Sequence, residues 1–395
     1  MRGFAVLRRS HRTADSPLLT IIFTLSIISQ VKTIVDRASL PRTRKQKLRA
    51  RFFGFLFFLA VPATILLAIS IGPAGTGFSN GIVALLTPLI NTLSDDLPAL
   101  NHLLPEISPA TQSLVWSIRL PRVLLAGLVG ASLAVAGATM QAVFRNPLAE
   151  PGVTGVSSGA AVVAVILIVT GVAAKAPWVL SAGAFVGALL AVIFVQIVAG
   201  LNGGSGATLL LVGIALNAFL GAVIAATIAN APHSDDAQQA MFWLNGDLTA
   251  ANWQDIALAV GPITVGTVIL MMLIPELNLL LLGEEQAAAT GMRTVWIRQL
   301  LLALAALVTA AGVAVTGVIS FVGLVVPHLI RLAIGPDHRS LLPISMCLGA
   351  VFLILADLVA RSLFSPVALQ TGTVTAFLGA PALLALILRQ GGRQS

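Results

Sequence analysis

PELNLLLLGEEQAAATGMRTVWIR, Pro275–Arg298, is the stretch from which this chain is best read. Six long apolar segments precede it and about four follow. It is also the longest interruption on the side where the basic loops fall. Within it, Gly283–Thr290 predicts a short helix. Glu284 and Glu285 stand in the first turn, where the helix dipole favours acids, and Gly291 stands where a left-handed cap belongs. Ala287, Ala288 and Ala289 would leave a smooth surface that a groove of another protein can approach closely. Alone, such a segment would pass for an ordinary connecting loop. The spans on either side of it change that reading.

Of the 395 residues, 57% are hydrophobic and 10% charged, and the mean hydropathy is +0.98. Apolar stretches of roughly 18 or more residues, long enough to cross a hydrocarbon layer, fill most of the chain after Arg51. The composition therefore excludes a soluble globular domain and predicts an all-α, polytopic integral membrane protein. The 35 glycines suit helices that must pack closely without a hydrophobic drive between them. Tyrosine is absent and tryptophan occurs five times, so any aromatic belt is thin. Cys347 stands alone in an apolar run, which excludes an intrachain disulfide and a cysteine metal cluster. The net charge of +8 is unevenly spread. Residues 1–51 hold 12 of the 23 Lys and Arg against only Asp15 and Asp36, while the rest carries 11 basic and 13 acidic residues. This asymmetry speaks of topology and not of nucleic-acid binding.

Residues 1–51 are expected to form a basic cytoplasmic extension without fixed structure. The run Leu18–Ile28 after an arginine-rich start resembles a signal peptide, but it is short and no small-residue cleavage site follows. A misassigned upstream start is the alternative. The remainder, 52–392, divides into ten spans near 52–71, 120–143, 153–172, 178–199, 207–229, 254–275, 298–316, 317–332, 341–363 and 372–389, with the polar loop at 276–297 at its centre. The seventh and eighth spans are separated only by the Gly312–Gly323 region and resemble one long helix. With the N-terminus inside, seven loop arginines fall on the inner side, against Arg119, Arg122, Lys175 and Arg361 outside. This count places both termini in the cytoplasm. The outer segments 72–118 and 230–253 are the only soluble stretches long enough to form structure outside.

RLPR, 119–122, opens the second span. Pro121 suits a first helical turn, and Arg119 and Arg122, three apart, share a face. Both arginines oppose the positive-inside tendency and sit where the helix dipole disfavours cations, which points either to an outside partner or to headgroup phosphates. Gly127, Gly130, Ala134 and Gly137, and the pair Gly183 and Gly187, predict close helix packing. RNPLAEPGVTGVSSGA, Arg145–Ala160, breaks a helix near the inner boundary, where irregular backbone is tolerated if protein buries it or a pathway borders it. NGGSGAT, Asn202–Thr208, lies on the same side and either constricts a pathway or is a simple flexible turn. Asp357 and Arg361, four apart with the acid first, predict a local ion pair; His328 reads as a packing histidine. No GxxxxGK[ST] loop occurs, so the chain holds no phosphate site of that kind, and the histidines show no metal-ligand spacing. Few intramembrane ionisable groups remain for ion coupling.

Together these stretches resemble the FecCD-type family, the permeases of iron-siderophore and cobalamin ABC importers. The matching landmarks are RLPR (119–122), MQAVFRNPLAEPGVTGVSSGA (140–160), MFWLNGDL (241–248), LGEEQAAATGM (282–292), ISFVGLVVPHLIRLAIGPDHRSLLP (319–343), LADLVAR (355–361) and TGTVTAFLGAPALLALIL (371–388), in family order across residues 55–392. The resemblance implies about ten transmembrane helices in type II ABC importer architecture. It also implies two permease subunits, as a homo- or heterodimer in membrane lipid, a cytoplasmic ABC ATPase dimer and an extracellular or periplasmic substrate-binding protein. In this family's terms, Leu282, Gly283, Glu284, Glu285, Ala288, Gly291 and Met292 look like the ATPase-coupling helix. Arg119, Arg122 and Arg361 look like the arginines that meet the binding protein. Asn146, Pro147, Leu148, Gly204, Ser205 and Gly206 look like the inner gate, with Gly206 standing where a small hydroxyl residue is often found. The implied function is a non-catalytic permease of a bacterial plasma membrane, without its own cofactor or metal, ATP being bound by the partner. Its expected cargo is a ferric siderophore, with cobalamin or haem as the alternative. An ion-coupled transporter or a membrane scaffold is the rival from another class.

Overall fold

The computed structural model describes residues 44–72, 78–94, 107–201, 205–364 and 367–391, so most of the basic N-terminal segment, Gly204 and the acidic residues Asp95, Asp96 and Glu106 lie outside the described residues. Among the described residues every regular element is helical. In chain order they are α1 (Arg44–Ser70), α2 (Phe78–Ser94), α3 (Pro109–Val143), α4 (Val156–Val169), α5 (Pro177–Leu201), α6 (Gly206–Ala229), α7 (Ser234–Leu244), α8 (Trp253–Met272), α9 (Ile274–Leu281), α10 (Glu284–Ala289), α11 (Thr294–Thr316), α12 (Val322–Ile334), α13 (His338–Ser362) and α14 (Thr371–Gly391). Seven of these (α1, α3, α5, α6, α8, α11 and α13) are long and apolar enough to cross a membrane. With the shorter apolar helices α4, α12 and α14, they account for the ten spans expected from the sequence.

The boundaries differ from the expected ones where polar residues extend a helix beyond its apolar part. Helix α1 begins at Arg44 and not at Phe52, because the exposed, straight-chain Arg44, Lys45, Lys47 and Arg49 are good helix formers. Helix α3 begins at Pro109 and contains a π-helical stretch, Leu114–Arg119. Pro121 explains the widening: it lacks the N–H that would bind the Ser117 carbonyl, and its ring crowds that group. Helix α2 falls in a segment that reads as an outer loop. Its 17 residues are few for a span, and it packs instead across the junction of α1 and α3, where Trp116 Nε1 donates to the Ala84 carbonyl at 3.0 Å.

Helix α3 is the centre of the bundle. Gly130 on α3 and Gly349 on α13 meet backbone to backbone, so that a Cβ on either would overlap the other's carbonyl oxygen. Gly137 meets the Gly323 carbonyl of α12 in the same way, and Gly159 of α4 meets Gly187 of α5. The small-residue faces read from the sequence are thus packing faces. Gly130→Ala is expected to destabilise the protein by about 1–3 kcal/mol, the usual cost of an added methyl group in a filled core. Thermal unfolding of the purified protein measures this, and an unchanged midpoint would mean that the two backbones are not in contact. Helix α6 lies at the other extreme. It buries only Leu209 and Gly213 and exposes Leu211, Ile214 and Phe219, leaving an apolar surface for lipid or another subunit.

The boundary between α11 and α12 is a true break. Gly317 and Phe321 both have positive φ, 69° and 70°. The turn after α7 fills the gap: Asp247 N–H donates to the Thr316 carbonyl at 2.8 Å, and Gly372 N–H donates to the Gly246 carbonyl at 3.0 Å. This places the MFWLNGDL segment at the interruption.

Candidate functional site

At one end of the bundle, three segments far apart in sequence enclose a cavity of about 640 Å³. The end of α3 supplies Phe144 and Arg145, the start of α6 supplies Ser205 and Gly206, and the start of α10 supplies Gly283 to Gln286. Ser205 caps α6, its hydroxyl accepting from Thr208 N–H at 3.1 Å. A Cβ on Gly206 would lie 3.6 Å from the Phe144 ring, an ordinary contact, so the missing hydroxyl leaves space rather than removing a partner. Asn146, Pro147 and Leu148 form a turn beside this cavity without lining it. The turn closes on itself, with Asn146 Oδ1 accepting from Leu148 N–H at 2.9 Å. Arg145, just before the turn, has φ 47°. For a non-glycine residue this left-handed conformation costs about 1–2 kcal/mol. The broken segment beyond is fastened to α6: Ser158 donates to Asn217 Oδ1 at 2.5 Å, and Asn217 Nδ2 donates to the Gly152 carbonyl at 3.1 Å.

The short helix α10 spans Glu284–Ala289, within the stretch expected. Gly283 precedes it with φ 114°, a conformation that suits glycine alone, and Gly291 follows it with φ 88°. Glu284 is ion-paired at 2.5 Å with Arg298 at the start of α11, and Arg298 is only 3% exposed. On the other flank, Asn278 of α9 donates to Asp337 at 2.9 Å and accepts from His338 N–H at 2.9 Å. The loop is therefore clamped to the bundle on both sides. Burial holds the Glu276 carboxyl above the usual carboxylate range, with a backbone N–H pulling the other way. Not every expected surface residue faces out. Ala287 and Gly283 are buried and Met292 packs on the core, whereas Leu282, Glu285, Ala288, Ala289 and Gly291 are exposed.

The opposite end gathers the three arginines expected to meet an outside partner, but it does so inside the protein. Arg119, Arg122 and Arg361 are 3%, 7% and 5% exposed, so they form no outward-facing patch. Arg122 makes a forked contact with Asp357: Nε lies 3.0 Å from Oδ1, and Nη2 lies 2.9 Å from the same oxygen. Arg361 Nε is 3.7 Å from Asp357 Oδ2, and Thr371 donates to Oδ1 at 3.1 Å. Arg119 donates to the Ile69 carbonyl at 2.8 Å, and Arg361 donates to that of Ala68. These carbonyls belong to the last turn of α1, where helix carbonyls lack partners and the dipole favours cations. Because α3 begins at Pro109, Arg119 and Arg122 lie well inside it and do not meet the positive end of its dipole as the sequence suggested, while the end of α1 favours the cations that reach it. The local Asp357–Arg361 pair expected from spacing is real but long. The sequence reading missed that Asp357's closer partner is Arg122, 235 positions away. It also missed the Glu284–Arg298 pair, for which one acid in a first turn and one arginine opening the next span were the available signals.

The profile described as the FecCD transport family matches residues 59–389. This chain belongs to the FecCD transport family. It is therefore a multi-pass membrane permease of the ABC transporter class. The FecCD chain is 40% identical over 351 residues to the cobalamin import system permease protein BtuC of Halobacterium salinarum, an alignment covering 82% of this chain and 92% of that one. It is 43% identical over 287 residues to the hemin transport system permease protein HmuU of Yersinia pestis, covering 71% and 85%. It is 42% identical over 284 residues to the vitamin B12 import system permease protein BtuC of Vibrio cholerae, again covering 71% and 85%. Among solved structures, the FecCD fold here matches one described as an inward-facing conformation of a metal-chelate type ABC transporter. The TM-score is 0.72 at 30% identity, covering 85% of this chain and 98% of that one.

Proposed function

We propose that this chain forms one half of the membrane path of an ATP-driven importer, and that it moves a metal chelate from the outside into the cytoplasm. The observation that carries this reading is α10. It is clamped by Arg298 on one side and Asn278 on the other, presents Glu285, Ala288 and Ala289 outward, and borders the cavity between α3 and α6. A partner ATPase that seats on this surface moves the cavity wall without entering it. The end bearing α10 is then cytoplasmic, as the loop arginines imply, and the end with the arginine cluster faces outward, where a substrate-binding protein delivers cargo. A second permease subunit closes the path, and ATP is bound and hydrolysed by the partner subunits.

The cargo follows from chemistry and kinship together. A second cavity of about 520 Å³ lies at the break between α11 and α12, against α14. Phe321 and Phe377 line it with Asn245, Ser320 and Thr373, and no charged side chain does. Among the described residues, no three His, Cys, Asp or Glu side chains converge to hold a metal ion. Walls of this kind offer a bare cation no carboxylate, thiolate or imidazole, but they suit an ion already wrapped in an organic ligand. Relatives named for cobalamin and hemin support a tetrapyrrole chelate as the first candidate, and the ferric siderophore expected from the sequence becomes the alternative. Uptake of labelled cobalamin, haem and ferric siderophore, in a deletion strain with and without the gene restored, decides among them. Gene-dependent uptake of one chelate is the expected result. If uptake of all three proved independent of the gene, the importer reading would fail.

A further inference from the structure

We propose that Arg145 is a positioning residue that links α10 to the inner turn Asn146–Leu148, so that motion of the docked helix reaches the gate through a single side chain. The proposal rests on the reading of α10 as the ATPase-docking helix and of the turn at 146–148 as the inner gate. Three observations converge on it. Arg145 occupies the left-handed position that ends α3, with φ 47° and its N–H donating to the Ala142 carbonyl at 3.2 Å. Glycine or asparagine normally fills such a cap, so an arginine held there against its backbone preference has a use for its side chain. That side chain reaches across the cavity, and its Nη1 lies 3.6 Å from where a Cβ on Gly283 would be. Gly283 in turn is held at φ 114° directly before Glu284 and Glu285. Two positive-φ positions, one before the gate turn and one before the docking helix, thus lie near each other, with the arginine side chain between them.

The charges fit this arrangement. A cation near the start of a helix opposes the dipole, and the acids of the first turn of α10 offset that. Glu284 is engaged by Arg298, whereas Glu285 lines the same cavity as Arg145. Among the described residues neither Arg145 nor Glu285 is ion-paired. An ATPase that presses α10 toward α3 would bring the two together, and Asn146 follows Arg145 directly in the chain.

The test uses Arg145→Gly, because glycine relieves the backbone and removes only the link. In the full chain co-expressed with its ATPase, this variant should fold at least as stably as the parent and retain the ATPase on purification. ATP hydrolysis should persist while uptake of labelled cobalamin, haem or ferric siderophore, whichever the parent takes up, falls about tenfold, within the usual range of coupling between sites. Arg145→Lys should recover most of the loss. Uptake at the parental rate in Arg145→Gly would make the residue a mere cap and overturn the proposal. Loss of the ATPase from that variant would also overturn it, by placing Arg145 in the docking surface itself. A failure of the docking reading shows separately, as unchanged ATPase retention in Glu285→Lys.

Discussion

Asp357→Ala should be the most damaging single substitution in the protein, costing about 3–5 kcal/mol, the range measured when one partner is taken from a buried ion pair. Three guanidinium groups, Arg119, Arg122 and Arg361, lie within the same buried region, and Asp357 is the acid paired with two of them. Removing it leaves the cations facing one another, with carbonyls of the last turn of α1, those of Ala68, Ile69 and Ser70, still accepting from them. The last turn of α1, the middle of α3 and the end of α13 would separate, since these are the elements the cluster joins. Asp357→Asn should be milder, because the amide oxygen still accepts a hydrogen bond from Arg122. The thermal unfolding midpoint and the yield of membrane-inserted protein measure both. If the alanine variant unfolded with the parent, the cluster would have no structural role, and its arginines would again be candidates for docking.

Glu285→Lys is expected to weaken ATPase retention about tenfold, on the order of 1.4 kcal/mol, and in a salt-dependent manner. It is a cleaner test than changing both acids. Glu284 is held by Arg298, so a lysine at 284 would face a buried cation and dislodge α10 whether or not anything docks there. Glu285 is exposed and outside that pair, so a lysine there leaves the Glu284–Arg298 clamp of α10 in place. Gene-dependent uptake should fall with retention. If the ATPase co-purified with Glu285→Lys as well as with the parent, α10 would not be its seat.

The spans were legible because each is a local property: apolar length suffices to find a membrane helix, and it found all ten. Helix α10 was legible for the same reason, since its acids, alanines and closing glycine are neighbours in the chain. What the sequence hid depends on contacts between distant residues. The arginines at 119 and 122 looked outward-facing because their strangeness was judged against their own helix. Their explanation lies at the end of α1, some 50 positions earlier, and at Asp357. Helix α2 was hidden by its length, too short for a span and too apolar for the soluble loop it was taken to be. The inner turn was placed correctly as a break, yet its residues 146–148 stand beside the cavity while Phe144 and Arg145, which looked like the mere end of a span, form its wall.

Helix α3 joins the two ends of the molecule without interruption. At about 1.5 Å per residue, its 35 residues make a rod on the order of 50 Å long, with the arginine cluster toward one end and the cavity at the other. The glycines at 130 and 137 press this rod against α13 and α12 with no side chain between, so contact there is backbone on backbone and offers little compliance. A stiff rod gripped along its length can tilt but cannot slide, and when it tilts its two tips travel in opposite directions. Whatever moves the cavity end of such a rod moves the helices it is pressed against, because no layer of side chains between the backbones can absorb the shift.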